Sequence, residues 1–335
     1  MIETSTFVKT FTISNSNGME LEVLNYGATI VALRVPDKYG NTTNVTVGFD
    51  NIEDYYLPNT KKNALFLGAS VGRFAGRISN GGITINKVFY PLHSEDKVHL
   101  HGGKVGFDKK YWELAGINEG KNPWIKLSYR SVHLEEGYPG NLDVSVIYQL
   151  LETNTLKITY TATTDKTTHV NLTNHSYFNL NGKHSIRDHS LFVNSERHLG
   201  VFHNLIPNGH LKKSKGTLFD LTQLKTLDFL ESKGFDDTFV LKDKSEVAAT
   251  LISPTSGIKM NVFTNQPAIV IYTPKAFDKN IVFKNGMRYT QNPAICFETQ
   301  KMPDAPNKKR FESTILEAGD IYTNETMFQF SRVAL

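Results

Sequence analysis

Hydrophobic and polar residues alternate with a period of two along most of this chain. In the segment TLKITYTATT (155–164), every second position is apolar: Leu156, Ile158, Tyr160 and Ala162. This alternation is typical of a half-buried β-strand. The preceding segment LDVSVIYQLL (142–151) alternates in the same way. Residues 152–154 between the two segments are therefore predicted to form the turn of a β-hairpin.

Similar short segments recur from end to end, and Asn17-Gly18 marks a second hairpin turn. They are FTISNSNGMELEVLNYG (11–27), NVTVGF (44–49), GITINKVFYPL (82–92), VAATLISPTSGIKMNVFT (247–264) and AIVIYT (268–273). Only NIEDYYLP (51–58) and QLKTLDFLESKG (223–234) have room for a helical turn or two. No linker or repeat divides the chain. We expect an all-β protein, a single domain over residues 1–335 built as one large antiparallel β-sandwich with few short helices.

Two segments are apolar on both faces: PAIVIYT (267–273) and PAICFET (293–299). Such strands are expected to lie deep between layers. Gln266 precedes the first, and Glu298 lies near the end of the second. Glu298 is either a solvated strand-end carboxylate or a partly buried one. Burial would raise its pKa above the usual value of about 4.3 and make it a better base near neutral pH.

Composition excludes several classes of function. The net charge of +4 is spread along the 335 residues, and the small basic clusters do not form the basic face that nucleic-acid binding requires. The single cysteine, Cys296, rules out an intrachain disulfide. Because the chain has no signal-peptide pattern and no apolar run long enough to cross a bilayer, we expect a cytoplasmic protein without a membrane partner.

Histidine His175 stands out by its context, HVNLTNHSYF (169–178). In an extended chain, His175 and Tyr177 share a face with Asn171 and Thr173, while the apolar residues point the other way. A packed core histidine and half of a metal site are the other interpretations. A histidine on a polar face beside an aromatic residue is what a strand lining a ligand cleft would present.

Three further motifs contain candidate binding residues. His99 and His101 in HLHGG point the same way on a strand and would form half of an imidazole metal site, but no cluster at ligand spacing completes it. Arg77 lies in VGRFAGRISNGG (71–82), which matches no nucleotide-binding pattern. It is either a surface-loop residue or a donor to sugar hydroxyls.

The segment GFDDTF (234–239) offers Asp236 and Asp237, either as acceptors for a polyol or as an Asx turn. No Gly-x-Ser-x-Gly elbow is present, and Cys296 lies inside an apolar strand. Nucleophilic catalysis by serine or cysteine is therefore not expected.

Taken in order, nine segments resemble the aldose 1-epimerase family over nearly the whole chain. They are NYGATIVALRVPDKYG, GRFAGRISNG, LHGG, GFDKKYWE, EEGYPGNLDV, NLTNHSYFNLNG, GFDDTFVL, TNQPAIVIYT and FETQKMPDAPN. The resemblance implies a galactose mutarotase-like supersandwich with an open sugar cleft. It also implies a free aldose such as galactose or glucose as substrate, whose anomers are interconverted by acid/base chemistry without a cofactor or metal.

The resemblance also implies roles for particular residues. It assigns the general acid to His175 and the general base to Glu298. Its sugar-binding positions fall on Arg77, His101, Tyr177, Asp236 and Gln266. The residue before the cleft arginine is often asparagine in the family and is Gly76 here, which leaves the sugar preference open.

Two other functions stay open at this point, as does the choice between monomer and homodimer. A hexose-6-phosphate 1-epimerase on the same fold would need extra cationic groups, for which Arg73 is the candidate. A non-catalytic sugar-binding module would use the same cleft, but it would not require both Glu298 and His175.

Overall fold

Antiparallel β-strands make up most of the computed structural model, which describes residues 7–57, 65–231, 234–243, 246–287 and 290–333. In chain order the strands are β1 Thr10–Ser14, β2 Glu20–Leu24, β3 Thr29–Pro36, β4 Thr42–Asn44, β5 Ser70–Val71, β6 Arg77–Ile78, β7 Gly82–Ile85, β8 Val88–Pro91, β9 His99–Leu100, β10 Glu113–Asn118, β11 Trp124–Ser131, β12 Leu142–Leu151, β13 Thr155–Thr164, β14 Thr168–His169, β15 Thr173–Asn174, β16 Tyr177–Phe178, β17 Ser190–Val193, β18 Arg197–Val201, β19 Pro207–Lys213, β20 Lys225–Thr226, β21 Asp236–Val240, β22 Ala249–Ile252, β23 Ile258–Thr264, β24 Ala268–Tyr272, β25 Ile295–Gln300, β26 Ile315–Leu316 and β27 Tyr322–Arg332.

Helical structure in the described ranges is short. One α-helix, α1, spans Glu53–Tyr56, and the 3-10 helices are Phe107–Lys109, Glu135–Gly137, Leu227–Glu231, Lys284–Gly286 and Ala305–Asn307. Helical turns therefore occur within both segments where the sequence predicts them. None of the helices in these ranges has the length and apolar character needed to cross a membrane.

The hairpin of β12 and β13 forms as predicted. Leu151 pairs with Thr155, and residues 152–154 make the turn. The alternating apolar residues of β13 are buried, since Leu156 and Ile158 are at most 1% exposed. The second predicted hairpin joins β1 and β2, with Gly18 at a φ of 83° in its turn.

Two large sheets enclose the main hydrophobic core. The nine-stranded sheet has the order β10-β11-β12-β13-β27-β23-β22-β17-β20, and the six-stranded sheet has the order β16-β25-β24-β21-β18-β19. Ile158 and Phe328 of the first sheet belong to the same buried cluster as Ile269 and Phe297 of the second. The predicted all-β fold with large antiparallel sheets is confirmed.

Strands β24 and β25 lie in the middle of the six-stranded sheet and are buried on both faces, as their apolar sequences predict. Ile269 and Phe297 face the main core. Because side chains alternate along a strand, Val270 and Glu298 project from the opposite face, and they are direct register partners. The fold thus places one carboxylate on the buried centre of a sheet.

The segment around His175 differs from the single extended strand that its alternation indicates. It forms three two-residue strands with three different partners: β14 pairs with β26, β15 with β5, and β16 with β25. Residues 168–178 are all buried, so the polar face does not point to solvent. Backbone hydrogen bonds fix His175 from both sides: its N–H donates to the Ala69 carbonyl at 2.9 Å, and its carbonyl accepts from Gly68 N–H at 3.0 Å.

Gly68 supports this segment in a way that only glycine allows. Its φ is 71°, and a Cβ at this position would lie 2.0 Å from the Ile30 carbonyl oxygen. We expect Gly68→Ala to lower the free energy of unfolding by roughly 3 kcal/mol, because overpacking adds to the cost of a left-handed backbone. Urea unfolding of the purified variant measures this loss.

Gly40 provides the matched control. It has a φ of 83° and no atom within 4 Å of the position of a Cβ. Gly40→Ala should therefore cost only about 1 kcal/mol, which is the backbone contribution alone. If both variants lose the same free energy of unfolding, the close approach to the Ile30 carbonyl does not contribute to the cost.

Candidate active site

A narrow cleft opens on the face of the six-stranded sheet that points away from the main core. Its polar lining consists of Arg77, His101, Asp236, Thr238 and Glu298, and the rest is Gly76, Leu199, Val201, Leu205, Pro207, Val270 and Pro303. The cleft combines charged groups at one place with an apolar wall formed largely by β18, β19 and the turn between them.

Glu298 and His175 form a buried pair at this cleft. Glu298 Oε1 lies 3.5 Å from His175 Nε2, and the two side chains are 4% and 6% exposed. Glu298 comes from the middle strand β25, and His175 from the backbone-fixed segment just before β16. Two titratable groups are thus held face to face with little access for water.

Burial shifts the two pKa values in opposite directions. It raises the pKa of Glu298 to about 8, with a further increase from Asp236 and an opposing effect of Arg77. It lowers the pKa of His175 to about 4. The direction predicted for a buried Glu298 is therefore confirmed. Between these values the pair holds one proton, which resides on Glu298 because burial disfavours both charged forms.

His101 contributes a hydrogen-bond donor to the cleft. Its Nδ1 accepts a hydrogen bond from the Gly76 N–H at 3.2 Å. Burial, followed by the charges of His175 and Arg77, keeps its pKa well below the usual value. A neutral imidazole that accepts at Nδ1 carries its proton on Nε2. His101 therefore offers an Nε2–H donor for an oxygen atom in the cleft.

This protonation pattern does not suit a metal ion, although His101, His175 and Glu298 bring ligand-type atoms within 4.8 Å of one another. A metal-bound imidazole normally donates its other N–H to an acceptor. In His101, Nδ1 instead accepts a hydrogen bond from the Gly76 N–H. The nitrogen that remains for a metal is therefore Nε2, which carries a proton. The three side chains fit a set of acids, bases and donors better than a ligand set.

The pairing of His99 with His101 as half of a metal site is not realised. His99 is fully buried, with Nδ1 at 2.7 Å from the His93 carbonyl oxygen and Nε2 at 2.7 Å from the Tyr138 hydroxyl. The side chains of His99 and His101 point in different directions because β9 ends at Leu100 and His101 has a φ of 46°, outside the extended region.

Arg77 and Asp236 supply the charged rim of the cleft. Arg77 Nη2 lies 3.7 Å from Asp236 Oδ2, and their side chains are 24% and 37% exposed. Burial raises the pKa of the Asp236 carboxyl, and Arg77 opposes this shift. Both groups retain hydrogen-bonding capacity toward the cleft, since a guanidinium has five donors and a carboxylate accepts several bonds.

Gly76 is a point of close approach between two loops. Its φ is 83°, and a Cβ here would lie 3.0 Å from Pro303 Cβ and 3.3 Å from Gln300 Nε2. The position therefore lines the cleft with backbone alone. A larger residue at this point requires Pro303 to move.

Three residues expected at the sugar are not in the lining of this cleft: His175, Tyr177 and Gln266. His175 lies directly beside two residues that do line it, Glu298 and His101. The Tyr177 hydroxyl donates to the Leu65 carbonyl at 2.8 Å, and its ring packs 5.1 Å from that of His175. The Gln266 amide donates to Asn265 Oδ1 at 2.7 Å. Val270 is the residue of β24 that faces Glu298, whereas Gln266 lies four positions earlier in the chain, in the bend before β24.

The sequence analysis does not identify several residues that surround His175. The Phe66 ring lies 4.9 Å from that of His101 and 5.9 Å from that of His175, and Tyr272 is 6.2 Å from His175. Alternation along β24 and β25 places Val270, Tyr272 and Cys296 on the same face as Glu298, once the strands are known to pair. No local pattern marks Phe66, whose φ of 50° is unusual for a residue other than glycine.

Comparison with known proteins agrees with this geometry. Residues 9–329 match the model of the family described as aldose 1-epimerase. The chain belongs to the aldose 1-epimerase family. A galactose mutarotase from Bos taurus is 37% identical over 325 residues, which are 94% of this chain and 92% of the relative. An aldose 1-epimerase from Haemophilus influenzae is 34% identical, with 98% of this chain and 100% of the relative covered.

Solved structures of the aldose 1-epimerase family have the same fold. An aldose epimerase homologue from C. elegans superposes with a TM-score of 0.89 at 29% identity, covering 98% of this chain and 100% of the other. A galactose 1-epimerase from Lactobacillus acidophilus gives a TM-score of 0.84 at 26% identity, covering 98% and 99%. The match therefore extends over the whole sandwich.

The hydrogen bond at His101 yields a prediction about metals. Exhaustive dialysis against a chelator should leave the epimerase rate unchanged, because His101 presents a protonated nitrogen to the cleft. Polarimetric assays before and after dialysis, with metal content measured in parallel, check this. A loss of activity that added zinc restores would contradict the tautomer assigned to His101.

Proposed function

We propose that this chain is a single-domain, cytoplasmic mutarotase that interconverts the α and β anomers of free aldoses such as galactose and glucose. The observation that carries the proposal is the buried pair of Glu298 and His175, 3.5 Å apart, at a cleft rimmed by Arg77 and Asp236. A pair with opposed pKa shifts suits acid/base catalysis. The name of the bovine relative, galactose mutarotase, supports the choice of substrate.

The reaction breaks the C1–O5 bond of the sugar and closes it again on the other face of C1. Glu298 removes the proton from the C1 hydroxyl while His175 Nε2 protonates O5, and the ring opens to an aldehyde. Rotation about C1–C2 presents the opposite face. The two groups then reverse their roles, so that both protons return and no atom is gained or lost. The steps require no cofactor.

Each stage corresponds to one location of the shared proton. With the closed ring, the mechanism requires the proton on His175 and a charged Glu298. With the open chain, Glu298 holds the proton and His175 is neutral, which is the distribution that burial favours. His175 therefore does not rest as a cation. Closed-ring substrate must draw the proton to His175.

The remaining polar groups hold the sugar. Arg77 donates and Asp236 accepts at ring hydroxyls, and the His101 Nε2–H serves an oxygen near the reacting bond. Gly76 adds no side chain to the cleft. Because these contacts are few, we expect galactose and glucose both to be substrates.

The structure offers no support for a phosphosugar substrate. Arg73, the candidate cation, is 2% exposed. Its guanidinium donates to the Ser131 side chain and to the carbonyls of Ser131, Val132 and Pro139. These bonds join Arg73 to the distant segment 131–139 and use its donors, so it is not available to a phosphate.

Substitution of either catalytic candidate tests the mechanism. We expect Glu298→Gln and His175→Asn each to lower kcat by roughly 100-fold or more, because each removes one proton-transfer group. The assay is polarimetry on freshly dissolved α-D-galactose, with α-D-glucose in parallel.

Matched changes at exposed positions, Glu113→Gln and His210→Asn, should leave the rate unaltered. Circular dichroism establishes that all four variants fold. A folded Glu298→Gln or His175→Asn variant with near wild-type turnover would remove that residue from the mechanism.

The opposed pKa values predict a bell-shaped pH dependence of kcat/KM. Below about pH 4, His175 gains a proton while Glu298 still carries one, so that no base remains. Above about pH 8, Glu298 loses the shared proton and no acid remains. The rate should therefore fall on both sides of a plateau, with both limbs belonging to the pair. A rate that rises steadily from pH 6 to pH 10 would contradict this account.

A further inference from the structure

The buried thiol of Cys296 contacts the nitrogen of His175 that the mechanism does not use. Cys296 Sγ lies 3.7 Å from His175 Nδ1, and Cys296 is fully buried. Cys296 and Glu298 are two residues apart on β25, so their side chains project from the same face. The two nitrogens of one imidazole thus meet two successive side chains on that face, Nδ1 at the sulfur and Nε2 at the carboxyl group.

We propose that Cys296 is a positioning residue for the acid/base pair: its sulfur accepts a hydrogen bond from His175 Nδ1–H and thereby keeps Nε2 as the nitrogen that exchanges the proton. This inference rests on the proposed function, since it concerns the same pair. It assigns to Cys296 a role other than nucleophile or space-filling core residue.

The direction of the hydrogen bond follows from the reaction. A protonated His175 carries hydrogen on both nitrogens, and after Nε2 gives its proton to O5 the neutral ring keeps the one on Nδ1. An acceptor at Nδ1 is therefore satisfied in both states. If the thiol instead donated to Nδ1, it would stabilise the neutral ring with hydrogen on Nε2, which has no free nitrogen to take the proton back.

The other neighbours of His175 contact the ring without taking this place. Phe66, His101, Tyr177 and Tyr272 all lie against the imidazole, with ring centroids 5.1 to 6.2 Å away. Cys296 is a side chain that the structure places within hydrogen-bonding distance of Nδ1, and the backbone of His175 itself is a further acceptor, which opposes the effect of burial on the pKa of the ring. The ring is thus held by aromatic packing, and the sulfur selects the tautomer.

A thiol suits this position because it is a weak and neutral acceptor. Burial raises the pKa of the Cys296 thiol well above its usual value, so it stays uncharged and does not act as a base itself. A carboxylate in its place would stabilise the imidazolium and hold the proton on His175. The weak bond to sulfur orients the ring while leaving the proton free to move.

The wild-type protein provides the first test, which does not depend on turnover. Nitrogen-15 NMR of protein labelled at histidine reports which ring nitrogen carries hydrogen, and the His175→Asn variant assigns the signal. At pH 6, between the two pKa values, we expect His175 to carry its hydrogen on Nδ1. A neutral His175 with its hydrogen on Nε2 would overturn the inference even if the enzyme is fully active.

Substitutions supply the second test. Cys296→Ala and Cys296→Val remove the acceptor, with Val filling most of the volume, whereas Cys296→Ser retains an acceptor. We expect the first two to lower kcat about 10-fold, the equivalent of one hydrogen bond, with KM unchanged. The Ser variant should stay within about 3-fold of wild type.

The comparison separates positioning from packing. A purely structural thiol predicts that Val is tolerated best and that Ser, which buries a hydroxyl, is tolerated worst. Wild-type kcat in folded Cys296→Ala or Cys296→Val would overturn the inference, as would a Ser variant as slow as Ala. If Glu298→Gln is fully active while the tautomer is as expected, the proposed function fails and the hydrogen bond stands.

Discussion

One proton held between two buried side chains, Glu298 and His175, is the constraint on which the site depends. Each group alone would ionise in water near its ordinary pKa. Glu298 lies on an inner strand of a covered sheet, and His175 lies 3.5 Å away on the segment before β16, so that burial disfavours the charged form of each. Burial therefore moves the carboxyl and imidazole pKa values past each other, and the pair holds a single proton between them across the neutral range.

The sandwich is what makes this burial possible. The nine-stranded sheet covers one face of β24 and β25 through Ile269 and Phe297, while Phe66 and Tyr272 surround the imidazole on the other. Backbone hydrogen bonds with Gly68 and Ala69 fix the position of His175 relative to the sheet. The charged side chains of Arg77 and Asp236 lie at the rim of the cleft. The cleft is therefore charged and partly exposed at Arg77 and Asp236, and nearly closed to water at Glu298 and His175.

Sequence reasoning recovers the parts of this design that depend on local pattern. Strand β13, its hairpin turn and the doubly buried β24 and β25 follow from alternation and composition, and the rise in the pKa of Glu298 follows from its apolar neighbours. The resemblance to one family, carried by nine segments in order, is confirmed by the family match over residues 9–329. These features need no knowledge of which strands become neighbours.

What sequence reasoning lacks is the identity of non-local partners. The alternation around His175 indicates one strand, but the segment pairs with three different strands. This pairing buries its polar face, and the burial lowers the pKa of His175. Gln266 looks like the polar edge of β24, yet the register of β24 with β25 places Val270 opposite Glu298. Phe66 reaches the site from a turn that no periodicity marks.

The most direct test of the account is the protonation of Glu298 itself. Infrared difference spectra of the wild-type protein between pH 6 and pH 9.5, with Glu298→Gln as reference, isolate the stretch of its carboxylic acid. The account predicts a protonated carboxyl at pH 6 that disappears with a midpoint near pH 8 and is missing from the variant. A Glu298 that is already ionised at pH 6 would contradict the shared proton and the mechanism built on it.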